Sequence, residues 1–187
     1  MVMNKNEACR KFKEYLSSYN IRYQQDIDEG TVRLTMRYEG MENAPERAVE
    51  SCIWFHDGSA EARVYYTESA SKIIKGSEHL MEIYELLNYI NATFFPRTGD
   101  GVGQGLYDSQ YLYLGRLYKT EDGYDDLTYT MVIPYDFYEL TPIETADFLT
   151  IACPVYLNRL SIGIFGLLLG KINVEEAKRN IETQFSE

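Results

Sequence analysis

The chain has 187 residues, 45% hydrophobic and 25% charged, the proportions of one soluble globular domain large enough to bury its own core without disulfides or metal. Its 18 basic and 29 acidic side chains leave a net charge of −11. That long-range field repels phosphate backbones and anionic lipid, which argues against nucleic acid and membrane surfaces as partners.

Ala8, Phe12, Tyr15, Leu16 and Tyr19 recur at helical spacing and predict an amphipathic first helix over 3–19. Four strands are expected next. Residues 21–27 and 31–38 flank Asp28-Glu29-Gly30, a connection short enough to require an antiparallel hairpin. Within the second strand Val32, Leu34, Met36 and Tyr38 alternate with Thr31, Arg33, Thr35 and Arg37, so one face belongs to the core and the other is wet. After a polar loop over 40–46 that contains Pro45, residues 48–55 and 60–66 make a second pair around His56-Asp57-Gly58-Ser59. The period then changes to helical. Leu80, Ile83, Tyr84, Leu87, Ile90 and Asn91 share a face over 78–94, with Ser77 as N-cap and Phe95-Pro96 as the stop. A glycine-rich loop follows over 97–105, then two strands over 110–119 and 127–133 joined across 121–126. Thr141-Pro142-Ile143-Glu144 has the pattern of a capping box and opens a long apolar helix to Gly166 or Gly170. Asn173-Val174-Glu175-Glu176 repeats it before a terminal helix striped by Val174, Ala177, Ile181 and Phe185. The expected fold is α+β, an antiparallel sheet in the order α-ββββ-α-ββ-α-α packed against helices, one domain over 1–187 with 173–187 as a helical extension.

The sequence carries little that suggests catalysis. His56 and His79 are the only histidines, in a turn and at a helix start, and no nucleophile elbow, zinc-protease or Ser-x-x-Lys pattern is present. Cys52 and His56 sit about 13 Å apart along an extended strand, at ~3.3 Å per residue, too far for a Cys-His pair. Cys9, Cys52 and Cys153 are odd in number and far apart, which points to small core side chains rather than disulfides or a zinc site. The run from Gly99 to Gly105 lacks the register of a phosphate loop and follows a helix instead of a strand, and the acidic turns at 26–29 and 122–126 do not match a calcium loop. No metal or cofactor is expected. Residues 148–170 are apolar enough to raise a membrane span, but Pro154, Asn158 and Arg159 in its middle favour a core helix. Met1 to Glu7 is not followed by an apolar stretch or a cleavage site, so a cytoplasmic protein is expected.

Tyrosine, at 17 copies, is concentrated in strands and helix faces, among them Tyr65, Tyr66, Tyr111, Tyr113, Tyr118 and Tyr129. Such side chains suit an ordinary sheet rim as well as a recognition face.

The helix ending in Leu86-Leu87-Asn88-Tyr89-Ile90-Asn91, the hairpin after it, the long apolar helix and the closing Gly170-Lys171-Ile172-Asn173-Val174-Glu175-Glu176-Ala177 together resemble the YbjN-like family, over residues 15–182. That resemblance implies a fold similar to type III secretion chaperones. It also implies a regulatory or protein-binding role in the bacterial cytoplasm, with no catalytic residue. Asn88 and Asn91 match the family's asparagine positions and are expected to tie the helix end to the adjoining loop. The glycine-rich stretch at 99–105 departs from the pattern. On this reading the chain is an interaction module, alone or as a homodimer, that takes a polypeptide on its sheet face or a strand edge, with Trp54, Tyr65, Tyr111, Tyr113 and Tyr129 as contact residues. The rival is a small-molecule protein or cryptic enzyme with a pocket between sheet and helices, lined by Arg116, Tyr129 or Arg159.

Overall fold

The structure, a computed structural model, describes residues 3–96 and 113–186. Helix α1 (Lys5–Ser18) opens it, with Asn4 as N-cap accepting from the amides of Asn6 and Glu7 at 3.0 and 3.1 Å. Four strands follow: β1 (Tyr23–Asp28), β2 (Thr31–Glu39), β3 (Ala48–Phe55) and β4 (Ser59–Tyr66). Glu29 and Gly30 form the two-residue turn between β1 and β2, both at positive φ (48° and 79°), and Asp28 faces Thr31 across it. Such a turn matches the right-handed twist of the strands it joins. After α2 (Glu68–Gly76) and α3 (Leu80–Thr93) come β5 (Arg116–Lys119) and β6 (Leu127–Pro134). The chain closes with α4 (Tyr135–Leu140), α5 (Pro142–Asp147), α6 (Cys153–Leu168) and α7 (Val174–Ser186). The fold is thus α+β, and its six strands pair antiparallel throughout in the order β1-β2-β3-β4-β6-β5.

One buried cluster holds the molecule together, and its strand members all have one parity: Leu34 and Met36 on β2, Ile53 and Phe55 on β3, Ala62 and Val64 on β4, Met131 and Ile133 on β6. The helices supply the other half, with Phe12 and Leu16 from α1, Ile83 and Ile90 from α3, and Leu157, Leu160 and Ile164 from α6. Where α1 crosses the sheet centre, the gap between Phe12, Met36, Ile53, Ala62 and Leu149 has no room for a water molecule.

Several boundaries differ from expectation for identifiable reasons. Helices α2 and α4 are not among the predicted elements, because nine and six residues are too few to establish a period. Ser77 lies between α2 and α3, where its hydroxyl accepts from the His79 amide at 3.1 Å and donates to the Leu168 carbonyl at 2.7 Å. Tyr84 is on the wet side of α3 and donates to Glu121 at 2.8 Å, so the buried stripe is Ile83, Leu86, Leu87 and Ile90. Thr141 precedes α5 as predicted but makes no capping bond, since its hydroxyl turns back to the Phe137 carbonyl at 3.4 Å. The second box does form: the Glu176 amide donates to Asn173 at 2.9 Å and the Asn173 amide to Glu176 at 3.0 Å. The expected long helix is interrupted by a π turn over Phe148–Ala152, where the Cys153 amide bonds to the Phe148 carbonyl. It lies just ahead of Pro154, whose missing N–H cannot continue an α ladder. The apolar stretch Pro142–Leu168 is long enough to cross a membrane, and 67% of its apolar window is buried within the protein. Helix α7 packs along α6, with Ala177 and Ile181 fully buried.

The short strand β5 is held from both ends. On its outer edge Asn91 donates from Nδ2 to the Leu117 carbonyl at 2.8 Å and accepts from the Leu117 amide at 2.9 Å. One side-chain amide thus stands in for a neighbouring strand. Asn88, its predicted companion, is exposed. Replacing Asn91 by Ala strands both backbone groups at a cost of about 2 kcal/mol. Amide exchange of β5 should accelerate ahead of the rest of the sheet in that variant.

At the other end the buried Lys119 ammonium lies 2.5 Å from Asp125 and 3.2 Å from Glu121. The bond from Lys119 holds the Asp125 carboxyl below its ordinary range, and the Tyr84 hydroxyl followed by Lys119 does the same for Glu121. A carboxyl depressed on folding adds stability above its unfolded pKa, about 4, which is lost as pH falls through the folded value. Thermal melts should therefore show Asp125→Asn less stable than the parent at pH 7, with the difference closing below about pH 4.

Candidate functional site

The parity that places Ile53 and Phe55 under the helices turns Trp54 the other way, and the register extends this side across all six strands. Asp26 and Asp28 of β1 belong to it, then Arg33 and Arg37 of β2, Glu50, Cys52 and Trp54 of β3, and Glu61, Arg63 and Tyr65 of β4. Thr130 and Val132 of β6 and Arg116 and Tyr118 of β5 complete it. No apolar strand residue of this parity belongs to the buried cluster shared with the helices. Among the described residues this face of the sheet has no helical layer over it.

Its composition differs from that of the remaining surface. Four of the chain's ten arginines stand here and none of its eight lysines, and the only tryptophan lies on the inner strand β3, near its hairpin end. Five carboxylates, at Asp26, Asp28, Glu39, Glu50 and Glu61, meet those four arginines, so the face is close to neutral on a chain of net charge −11.

Trp54 is fixed by its neighbours. Its indole N–H donates to Asp28 at 2.7 Å, and the guanidinium carbons of Arg33 and Arg63 lie 5.9 and 5.0 Å from its ring centroid. Both distances fall within the range of cation–π attraction. Arg33 is held in turn by Asp26 at 2.6 Å and Asp28 at 3.2 Å, and Arg63 by Glu61 at 2.6 Å. The bond to Arg33 keeps the Asp26 carboxyl below its ordinary range. Beside Trp54 an open cleft of about 470 Å³ is lined by Asp28, Glu29, Thr31, His56, Glu61 and Arg63. Further along β2, Arg37 spans Glu39 at 2.7 Å and, on β3, Glu50 at 3.0 Å. The half-buried Tyr65 lies against Cys52, and burial raises its hydroxyl pKa strongly.

Cys52 is buried beneath this polar layer, which pushes its thiol up to about 12. It is protonated at neutral pH and is no nucleophile there. Cys9 and Cys153 are free and buried as well, as expected for small core side chains, and burial raises both thiols.

Of the five predicted contact residues, Trp54 and Tyr65 belong to the open face. Tyr113 and Tyr129 do not. Tyr113 is buried, with its hydroxyl 2.7 Å from that of Thr145 and its ring against Phe137 and Phe148. Tyr129 has the inward parity of Leu127 and Met131, packs on Tyr156 at 5.2 Å and accepts from the Gly115 amide at 3.1 Å. Tyr111 and the glycine-rich run at 99–105 lie outside the described residues. The residues that hold Trp54, namely Asp28, Arg33 and Arg63, were not singled out from sequence, although each shares its parity and sits on an adjoining or hairpin strand.

Each of the groups named for the rival pocket makes a local contact. Arg116 donates to the Gly115 carbonyl at 2.8 Å, the Tyr129 hydroxyl takes the Gly115 amide, and the Arg159 guanidinium lies 5.6 Å over the Phe185 ring. Comparison with protein-family models, with curated proteins and with solved structures finds no match for the chain.

Proposed function

We propose that the chain is a non-catalytic protein-binding module of the cytoplasm that takes a polypeptide on the uncovered face of its sheet. The single observation that carries this reading is the fixed Trp54, braced by Arg33, Arg63 and Asp28 on a near-neutral face. Tryptophan, tyrosine and arginine are the residues that dominate binding hot spots, and a side chain already held in place loses little entropy when a partner covers it. The resemblance to the YbjN-like family and its chaperone-like fold points to the same role.

Strand addition is the other way to take a polypeptide; the edge of β5 is closed to it at Leu117 by Asn91, which leaves only the edge of β1 for that mode among the described residues. The test is capture from a lysate of the source organism by the native protein and by Arg63→Glu, which reverses a charge beside Trp54. A stoichiometric partner held at moderate salt by the native chain and released by the variant supports the sheet face. A partner held equally by both places the binding surface elsewhere.

A further inference from the structure

The sheet has two edges, and they are treated differently. On β5 the outward amide and carbonyl of Leu117 are both occupied by Asn91. On β1 the narrow pair of a two-residue turn is Asp28 with Thr31, and hydrogen-bonded pairs alternate from there. The backbone groups of Gln24, Asp26 and Asp28 therefore point to β2, while those of Tyr23, Gln25 and Ile27 point outward. Among the described residues no bond satisfies these outward groups, and Ile27 is 63% exposed at the same edge. Open edges of this kind are templates for another strand.

We infer that β1 pairs with β1 of a second copy of this chain, antiparallel and centred on Gln25, joining the two sheets into one. Three features single out the occupant and its register. Centring on Gln25 makes every facing pair with outward groups a hydrogen-bonded one: Gln25 with Gln25, and Tyr23 with Ile27 in both directions. It also sets the exposed Ile27 against Tyr23 on the helix side, and Arg22 against Asp28 and Gln24 against Asp26 on the open side, so no like charges face each other. The neighbouring registers are worse. A shift one way sets Asp26 directly against Asp26, and a shift the other way calls on the Ile21 amide, which already donates to the Leu16 carbonyl at 2.8 Å.

This inference does not rest on the sheet-face reading: Trp54→Ala should leave the dimer intact, and Gln25→Pro should leave the face intact. Sedimentation equilibrium of the native chain up to about 0.1 mM should show a monomer–dimer equilibrium. Gln25→Pro removes an amide that the β1–β2 ladder does not use, so it should sediment as a monomer with an unchanged circular dichroism spectrum. Ile27→Lys, which leaves the backbone untouched, should also be monomeric if the proline variant fails to fold. In Gln25→Cys, mild oxidation should link two chains, because Cα atoms about 5.5 Å apart across a hydrogen-bonded pair suit a disulfide. A native chain that is monomeric throughout, or a dimer that survives both Gln25→Pro and Ile27→Lys, overturns it.

Discussion

Replacing Gly163 by Val should lower stability by about 3 kcal/mol, a fall of roughly 6 to 12 °C in melting temperature for a chain of this length. At Gly163 α7 packs directly against the backbone of α6. A Cβ there would stand 2.6 Å from Ile181 Cγ1, 2.7 Å from its Cδ1 and 2.8 Å from the Ala177 carbonyl oxygen. Ile181 is fully buried and has little room to turn aside, while the carbonyl belongs to the helix backbone and moves only with α7. The two positions are therefore coupled. Ile181→Ala should cost about 3 kcal/mol alone, as buried Ile-to-Ala changes do, yet the pair Gly163→Val with Ile181→Ala should cost less than the sum. Chemical denaturation of the four proteins checks this, and strict additivity would mean that α7 does not press on α6 as described.

Trp54→Ala should weaken binding of the partner by about 2 kcal/mol or more, roughly 30-fold, while costing the fold only about 1 kcal/mol. The contrast follows from its position. Trp54 contributes nothing to the buried cluster, and its truncation removes one bond to Asp28 and two arginine contacts on an open face. The loss at the interface is larger because a partner covering the face would desolvate the indole together with Arg33 and Arg63. Substitution at Tyr124, 70% exposed in the turn between β5 and β6, should change neither quantity and serves as the control.

Much of this architecture is written locally. Alternation in β2, the hairpin connection at Asp28-Glu29-Gly30 and the Asn173 capping box each depend on residues within one turn or one strand; all three form, the connection tightened to Glu29-Gly30 with Asp28 drawn into β1. Where the reading departs from the structure, the competing contacts are distant or the element is short. Thr141 has the right neighbours for a cap, but α4 ends close enough to draw its hydroxyl back to Phe137. Asn91 was legible as a side-chain tie to the backbone. That it ties down a sheet edge depends on α3 lying beside β5, 26 residues further along the chain.

The candidate site divides in the same way. Trp54 and Tyr65 follow from parity alone. The same alternation applied to β6 puts Tyr129 inside with Leu127, Met131 and Ile133. Tyrosine content misled there because a phenol can be buried whole once its hydroxyl finds a partner, as it does at Gly115. The bracing of Trp54 needs four strands brought into register, information that no single segment of the sequence holds.

Trp54 is the chain's one tryptophan, so its fluorescence reports on the proposed surface without any label. The most direct measurement is acrylamide quenching of that emission with and without the captured partner at saturating concentration. The open-face account predicts ready quenching in the free protein and marked protection in the complex. Equal quenching in both, with the partner shown to be bound, would contradict it.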